Sequence, residues 1–167
     1  GAIMQQYENA LCIAGTHGKT TTTSMATHIF MAAEKDPTVM IGGTLPMLHS
    51  GYRVGQGDTI ILESCEYCNS FLHFFPTVAV ILNVEADHLD FFKDLADVEH
   101  SFRAFAQLVP PEGHVVANAD DPGVREALEG IDRFSFGLEA PEADCRGVNL
   151  RWDHGLPSFD VVIGGPR

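Results

Sequence analysis

The sequence predicts an α/β fold, a doubly wound and mostly parallel sheet with a small antiparallel β extension at its C-terminal end. Three observations predict it. The apolar runs at 10–14, 59–62 and 77–82 are continuous, not alternating, which is the pattern of parallel strands covered on both faces. Helical segments lie between the strands, so that strand and helix alternate from residue 10 to about 130. Beyond that, 133–137 and 148–152 alternate, and 159–163 follows a Gly155-Leu156-Pro157 turn. These three segments read as a short antiparallel meander.

The elements follow in order. The first strand, 10–14, stops at Gly15. Residues 20–33 carry Met25, Ile29, Ala32 and Ala33 at helical spacing and form a helix despite their threonines. Asp36-Pro37 breaks it, and 38–41 is the second strand. Gly42-Gly43 opens a loop that runs to Gly57. The third strand ends on the carboxylate Glu63, and the fourth, 77–82, ends on Asn83. A helix at 95–108, stopped by Pro110-Pro111, places Phe102 and Phe105 on its core face. A fifth strand at 114–117 precedes a short helix at 124–128.

Composition sets the outer bounds. A chain of 167 residues, 45% of them hydrophobic, is one domain's worth and can bury a sizeable core. Ten Lys+Arg face 23 Asp+Glu, for a net charge of −13. Such a chain repels a phosphate backbone, which excludes general nucleic-acid binding. An anionic small ligand needs a local device, such as a helix N-terminus or a metal. No apolar run approaches the roughly 18–20 residues of a membrane-spanning helix. The first residues lack the basic and apolar regions of a signal peptide. Gly1-Ala2 at the start and Gly164-Gly165-Pro166-Arg167 at the end read as cut edges.

Four cysteines are too few for a disulfide framework in a chain this long, which favours a reduced, cytoplasmic setting. Cys65-Glu66-Tyr67-Cys68 is a C-x-x-C, a pattern of zinc and redox sites, but no second pair lies at metal-ligand spacing and it reads as incidental. Most of the eight histidines stand apart from any motif.

The strongest local signal is Gly15-Thr16-His17-Gly18-Lys19-Thr20-Thr21 between a buried strand and a helix. Glycines let successive N–H groups turn inward toward phosphate oxygens, and the helix N-terminus favours an anion. Lys19 can reach β- and γ-phosphates, and the Thr20 hydroxyl can hold Mg²⁺. The generic P-loop has a further glycine five residues before Gly18, where this chain has Ile13. Lys19 is expected on an exposed rim, so its removal should abolish nucleotide binding with little loss of fold.

The string Ala14-Gly15-Thr16-His17-Gly18-Lys19-Thr20-Thr21-Thr22 resembles the ATP-binding loop of the Mur ligases, which also lacks that first glycine. Asn83-Val84-Glu85-Ala86-Asp87-His88-Leu89-Asp90 and Asn118-Ala119-Asp120-Asp121-Pro122 resemble that family's later motifs in order and spacing. His17, with Ser70-Phe71-Leu72, favours the branch that adds L-alanine to UDP-N-acetylmuramate. The resemblance covers about residues 10 to 140. It implies a P-loop-type central domain of a three-domain, ATP-dependent amide-forming ligase of peptidoglycan precursor synthesis. It implies that an excised fragment of 1–167 lacks the UDP-binding and C-terminal domains and does not ligate alone.

The same resemblance assigns roles. Gly15, Thr16, His17, Gly18, Lys19, Thr20 and Thr21 bind ATP, with Asn118 at the adenine. Thr20 and Glu63 hold Mg²⁺, with Glu66 the competitor of Glu63. His88 holds a second Mg²⁺ and, with Lys19, serves phosphoryl transfer; Asp87 and Asp90 orient His88 or begin the next helix. Asp120, Asp121 and Pro122 read as a turn and helix start. The resemblance puts the loop from Gly42 to Gly57 near the sugar-nucleotide substrate, where Arg53 reads as a solvated loop residue ahead of a phosphate contact. The rivals are the tripeptide-recycling ligase of the same family, another P-loop NTPase such as a small kinase, and a nucleotide-binding module without chemistry.

Overall fold

The computed structural model describes residues 2–164. The segment Gly165-Pro166-Arg167, with the reading of that end as a cut edge, lies outside the described residues, as does Gly1. Nine strands form one sheet in the order β3-β2-β4-β1-β5-β6-β7-β8-β9. β1 (Asn9–Ala14) is central and pairs in parallel with β4 (Thr59–Glu63) on one side and β5 (Val78–Ile81) on the other. β2 (Thr38–Leu45) extends the sheet beyond β4, and β6 (His114–Asn118) extends it beyond β5, both in parallel.

Consecutive residues of β1 feed opposite faces. Ile13 packs with Val39, Ile41 and Ile61 on the face covered by Ala26 and Phe30 of α1 (Lys19–Ala32). Ala10, Cys12 and Ala14 face the larger core, built from Phe71, from Val98, Phe102 and Phe105 of α2 (Leu95–Ala106), and from Val124 and Ala127 of α3 (Pro122–Ala127). Phe71 stacks on Phe105 at 4.6 Å and meets Phe102 edge-on at 5.3 Å. The predicted core face of α2 is therefore the observed one.

Three expectations change. In α1, Met25 and Ile29 face outward at 61% and 65% exposure, while Thr23 and Thr27 are fully buried. Each buried hydroxyl donates to the carbonyl four residues back, Thr23 to Lys19 and Thr27 to Thr23, so threonine behaves there as a small apolar residue with its polar atom satisfied locally. The loop 42–57 is partly a hairpin: β2 runs to Leu45, turns through Pro46–Leu48, and returns antiparallel as β3 (Ser50–Arg53). Gly51 permits the close pairing, because an added Cβ would stand 2.8 Å from the Gly43 carbonyl oxygen. Finally, β7 (Phe134–Gly137) joins β6 in parallel, as β8 (Cys145–Asp153) joins β7. Only β8 and β9 (Leu156–Ile163) form the antiparallel extension. Alternation in 133–137 marks an outer strand with one face open, which occurs in either pairing sense.

Candidate functional site

The loops that leave the C-terminal ends of β1, β4, β5 and β6 carry the motif residues, and an open α/β sheet binds ligands at that edge. After β1 the chain turns through Gly15, at φ 151°, and Gly18, at φ 82°. Gly15 is pressed against the residue that follows β5: an added Cβ would lie 2.9 Å from Leu82 Cβ. Gly18 is the N-cap of α1 and brings no side-chain cap, so the first-turn N–H groups are left for an incoming acceptor.

Asn83, two residues past β5, pins this turn. Its side-chain oxygen accepts from the His17 N–H at 2.7 Å, its amide donates to the His17 carbonyl, and its own carbonyl accepts from the Thr16 N–H. Thr16 is buried, and its hydroxyl accepts from the Glu85 N–H at 2.9 Å. Thr16 therefore ties the first motif to the second through its side chain. The exposed His17 ring stands 3.7 Å from Glu85. The role of Asn83 was not read from the sequence, although its place beside the loop, one strand over, was the available signal.

Lys19 is not on an exposed rim. Its side chain is 13% exposed and folds back, donating to the Gly15 carbonyl at 2.6 Å, the Thr16 carbonyl at 3.1 Å and Glu66 Oε2 at 3.0 Å. Glu66 is itself only 2% exposed, and its other oxygen stands 3.5 Å from His88 Nε2. Glu66 is thus the carboxylate between Lys19 and His88. Glu63 holds the other station: its Oε1 accepts from the Thr20 hydroxyl at 3.0 Å and its Oε2 from the Gly42 N–H at 2.8 Å. Thr20 and Thr21 are exposed.

His88 stands at φ 52°, with its N–H on the Asp87 carboxylate at 2.7 Å. The Tyr67 ring lies against it, centroids 4.8 Å apart, and the Tyr67 hydroxyl donates to Asp90 at 2.9 Å. The Asp90 carboxylate holds the Tyr67 proton in place and raises its pKa. Asp87 and Asp90 therefore surround His88 directly and through Tyr67, while Asp94 is the acid that caps α2.

The third motif divides. The Asn118 amide donates to the Leu82 carbonyl and accepts from the Asp120 N–H. One N–H and one lone pair of that amide remain for a ligand. Asn118 borders a cavity of about 370 Å³ that Phe136, Leu138, Phe159 and Val161 also line. Asp121 caps α3, as its sequence suggests. Asp120 instead accepts N–H groups from Leu138, Glu139 and Ala140. Burial raises its pKa, but these donors and Arg125 outweigh it and hold the carboxyl below its ordinary range. Arg53 is tied to Asp36 and to the Pro37 carbonyl, away from the loop. The sequence reading of it as solvated is corrected: it anchors the hairpin.

The donor set suits Mg²⁺, a hard cation that takes oxygen ligands, keeps several waters and shares itself with phosphates. Thr20 and Glu63 offer such oxygens side by side at the exposed rim. Among the described residues no three His, Cys, Asp or Glu converge into a closed cage. Glu63 and the Glu66–His88 pair are separate stations.

Comparison with known proteins gives a family and a fold. The model of the Mur ligase middle domain matches residues 13–165. UDP-N-acetylmuramate–L-alanine ligase of Clostridium novyi is 44% identical over 163 residues, covering 96% of this chain and 35% of that protein. The enzyme of the same name from Clostridium perfringens is 42% identical at the same coverage. The chain thus spans about a third of the length of the curated relatives it matches. Among solved structures, the UDP-N-acetylmuramate:L-alanyl-γ-D-glutamyl-meso-diaminopimelate ligase of Neisseria meningitidis superposes with TM-score 0.83 at 27% identity, covering 96% of this chain and 53% of that one. The UDP-N-acetylmuramate–alanine ligase of Thermotoga maritima gives 0.82 at 24% identity, covering 99% and 37%.

Proposed function

The chain belongs to the Mur ligase family as a middle domain, and from that premise we propose that it is the ATP-binding unit of a longer, cytoplasmic ligase that joins L-alanine to UDP-N-acetylmuramate. The observation that carries the ATP site is Lys19 folded over Gly15 and Thr16 at an uncapped helix N-terminus. The relatives at 42–44% identity carry the L-alanine ligase name, which favours this substrate over the tripeptide of the recycling enzyme. The neighbouring domains supply the UDP and amino-acid contacts, so the isolated segment binds ATP without forming product.

In the proposed reaction the muramoyl carboxylate takes the γ-phosphoryl group of ATP, and ADP leaves. The L-alanine amine attacks the acyl carbon of the resulting acyl phosphate, and phosphate leaves. The residues of this chain bind, orient and stabilise charge. Backbone N–H groups from Gly18 to Thr21, which Asn83 does not engage, receive phosphate oxygens. Lys19 exchanges its loop carbonyls and Glu66 for the β- and γ-phosphates. Asn118 directs its free amide valences to the adenine edge. Thr20 with Glu63, and His88 beside Glu66, would hold Mg²⁺, which when bound offsets negative charge built up during transfer.

The test is amide formation by the full-length protein that contains this segment. With ATP, UDP-N-acetylmuramate and L-alanine it should release one phosphate per amide formed. Turnover with L-alanyl-γ-D-glutamyl-diaminopimelate but not with L-alanine would place it with the recycling enzymes instead.

A further inference from the structure

Two thiols bracket the turn that carries Glu66. Cys65 and Cys68 are both exposed, whereas Cys145 is half-buried and Cys12 is fully buried, its thiol pushed up to about 12 by desolvation. A buried thiol of that kind is inert. Cys65 and Cys68 are therefore the accessible pair among the described residues. Among the described residues no third His, Cys, Asp or Glu joins them in a metal-sized group, which argues against a zinc site.

The backbone between them brings them together. Glu66 has φ −76° and ψ −24°, and Tyr67 opens the 3-10 segment that follows. Two successive right-handed residues make a tight turn, in which the flanking Cα atoms approach within about 7 Å. A disulfide spans Cα separations of about 4.4–6.8 Å. The turn is held from outside, since the Cys65 carbonyl accepts from the Phe71 N–H and the Ser70 hydroxyl. Cys68 and Asn69 both sit in the left-handed region, at φ 53° and 55°, a strained arrangement of the sort concentrated at switch and ligand sites. The two residues inside the turn reach the site itself: Glu66 contacts Lys19 and His88, and Tyr67 lies on His88.

We propose that Cys65 and Cys68 are a dithiol that closes reversibly into an intramolecular disulfide around Glu66 and Tyr67, making the phosphate-loop site redox-responsive. The oxidant is a small-molecule disulfide of the glutathione type. One cysteine thiolate attacks its sulfur, and one glutathione thiolate leaves. The second cysteine then loses its proton and attacks the protein sulfur of the mixed disulfide, and the second glutathione leaves and takes up that proton. Two protein thiols are oxidised and one glutathione disulfide is reduced to two thiols. Closure fixes the turn that carries Glu66, the carboxylate that holds Lys19 back from phosphate, so the oxidised chain holds nucleotide more weakly. That consequence rests on the ATP-site reading; the disulfide itself does not.

The experiment treats the chain with glutathione disulfide, reads intact and peptide masses, and then titrates ATP with Mg²⁺. The expected product is about two mass units lighter, with Cys65 and Cys68 joined and reversal by dithiothreitol. Cys65→Ser and Cys68→Ser each stop at a glutathione adduct. The oxidised chain should bind ATP at least about tenfold more weakly, ~1.4 kcal/mol, and the double serine variant should ignore the oxidant. A persistent adduct on the unaltered chain, a disulfide-linked dimer, or unchanged affinity after oxidation overturns the proposal. If the reduced chain binds no nucleotide, the ATP-site reading fails and the masses alone decide the thiol pair.

Discussion

Lys19 Nζ lies 3.0 Å from Glu66 Oε2, and the two side chains are only 13% and 2% exposed. The lysine proposed to meet phosphate is thus half of a withdrawn ion pair. Removing one partner of such a pair strands the other charge away from water, which costs about 3–5 kcal/mol. Lys19→Ala should therefore lower the unfolding midpoint markedly, contrary to the expectation of a freely removable rim residue. Adding Glu66→Gln to Lys19→Ala should restore much of that loss. Urea unfolding of the two variants checks this, and equal stability of Lys19→Ala and the unaltered chain would refute it.

The two loop glycines should respond differently to alanine. At Gly18 an added Cβ would meet Leu82 Cδ1 at 3.6 Å, an ordinary contact, so the cost is the left-handed backbone alone, about 1–2 kcal/mol. At Gly15 the added Cβ would stand 2.9 Å from Leu82 Cβ and 3.3 Å from the Asn83 nitrogen. Gly15→Ala should cost more and should also displace Asn83 from the loop. Thermal unfolding gives the order of the two variants, and amide exchange at Thr16 and His17 reports the displacement.

Thr20 and Glu63 should separate metal dependence from fold. Their side chains meet at an exposed rim, where substitution usually changes stability by less than about 0.5 kcal/mol. Thr20→Val should therefore reduce the gain in ATP affinity that Mg²⁺ provides while leaving the unfolding midpoint near that of the unaltered chain. Glu63→Gln should do the same, with a somewhat larger stability change because Glu63 also holds the Gly42 N–H. Titrations with and without Mg²⁺ read the difference.

Asp120 gives a pH signature. Its folded-state pKa lies below the ordinary value, because backbone donors and Arg125 outweigh its burial. The stabilisation is present in full above the unfolded value near 3.9 and is lost as pH falls through the lower folded value. Asp120→Asn should thus be clearly less stable than the unaltered chain at pH 6. The gap should narrow as pH falls below about 4. Denaturant midpoints across that range test the sign.

Phe71 tests the larger core. It is fully buried, stacked on Phe105 and edge-on to Phe102. Phe71→Ala should cost about 3–5 kcal/mol. It should also loosen the segment that follows Glu66, which amide exchange at Phe74 would report.

Much of this was legible in the sequence, for physical reasons that differ by element. The buried parallel strands announced themselves because both faces are covered and every residue is apolar, as in Ile60, Ile61 and Leu62. The turn at 15–18 was legible because its glycines serve one backbone shape. The hairpin of Gly42, Gly43 and Gly51 was hidden, because pairing through backbone contact leaves no side-chain pattern. The orientation of α1 was inverted, since buried Thr23 and Thr27 look polar until their hydroxyls are seen bonded within the helix. Glu63 was read beside Thr20, as found, but the place of Glu66 was out of reach. Glu63 and Glu66 are three residues apart, and only the turn between them sends one to Thr20 and the other to Lys19 and His88.

The most direct measurement is calorimetric titration of the reduced chain with ATP, with and without Mg²⁺, beside Thr20→Val. The account predicts saturable binding that Mg²⁺ strengthens, and a variant that stays folded but loses that strengthening. A folded chain with no saturable binding at millimolar ATP, or a Thr20→Val variant with undiminished Mg²⁺ dependence, would contradict it.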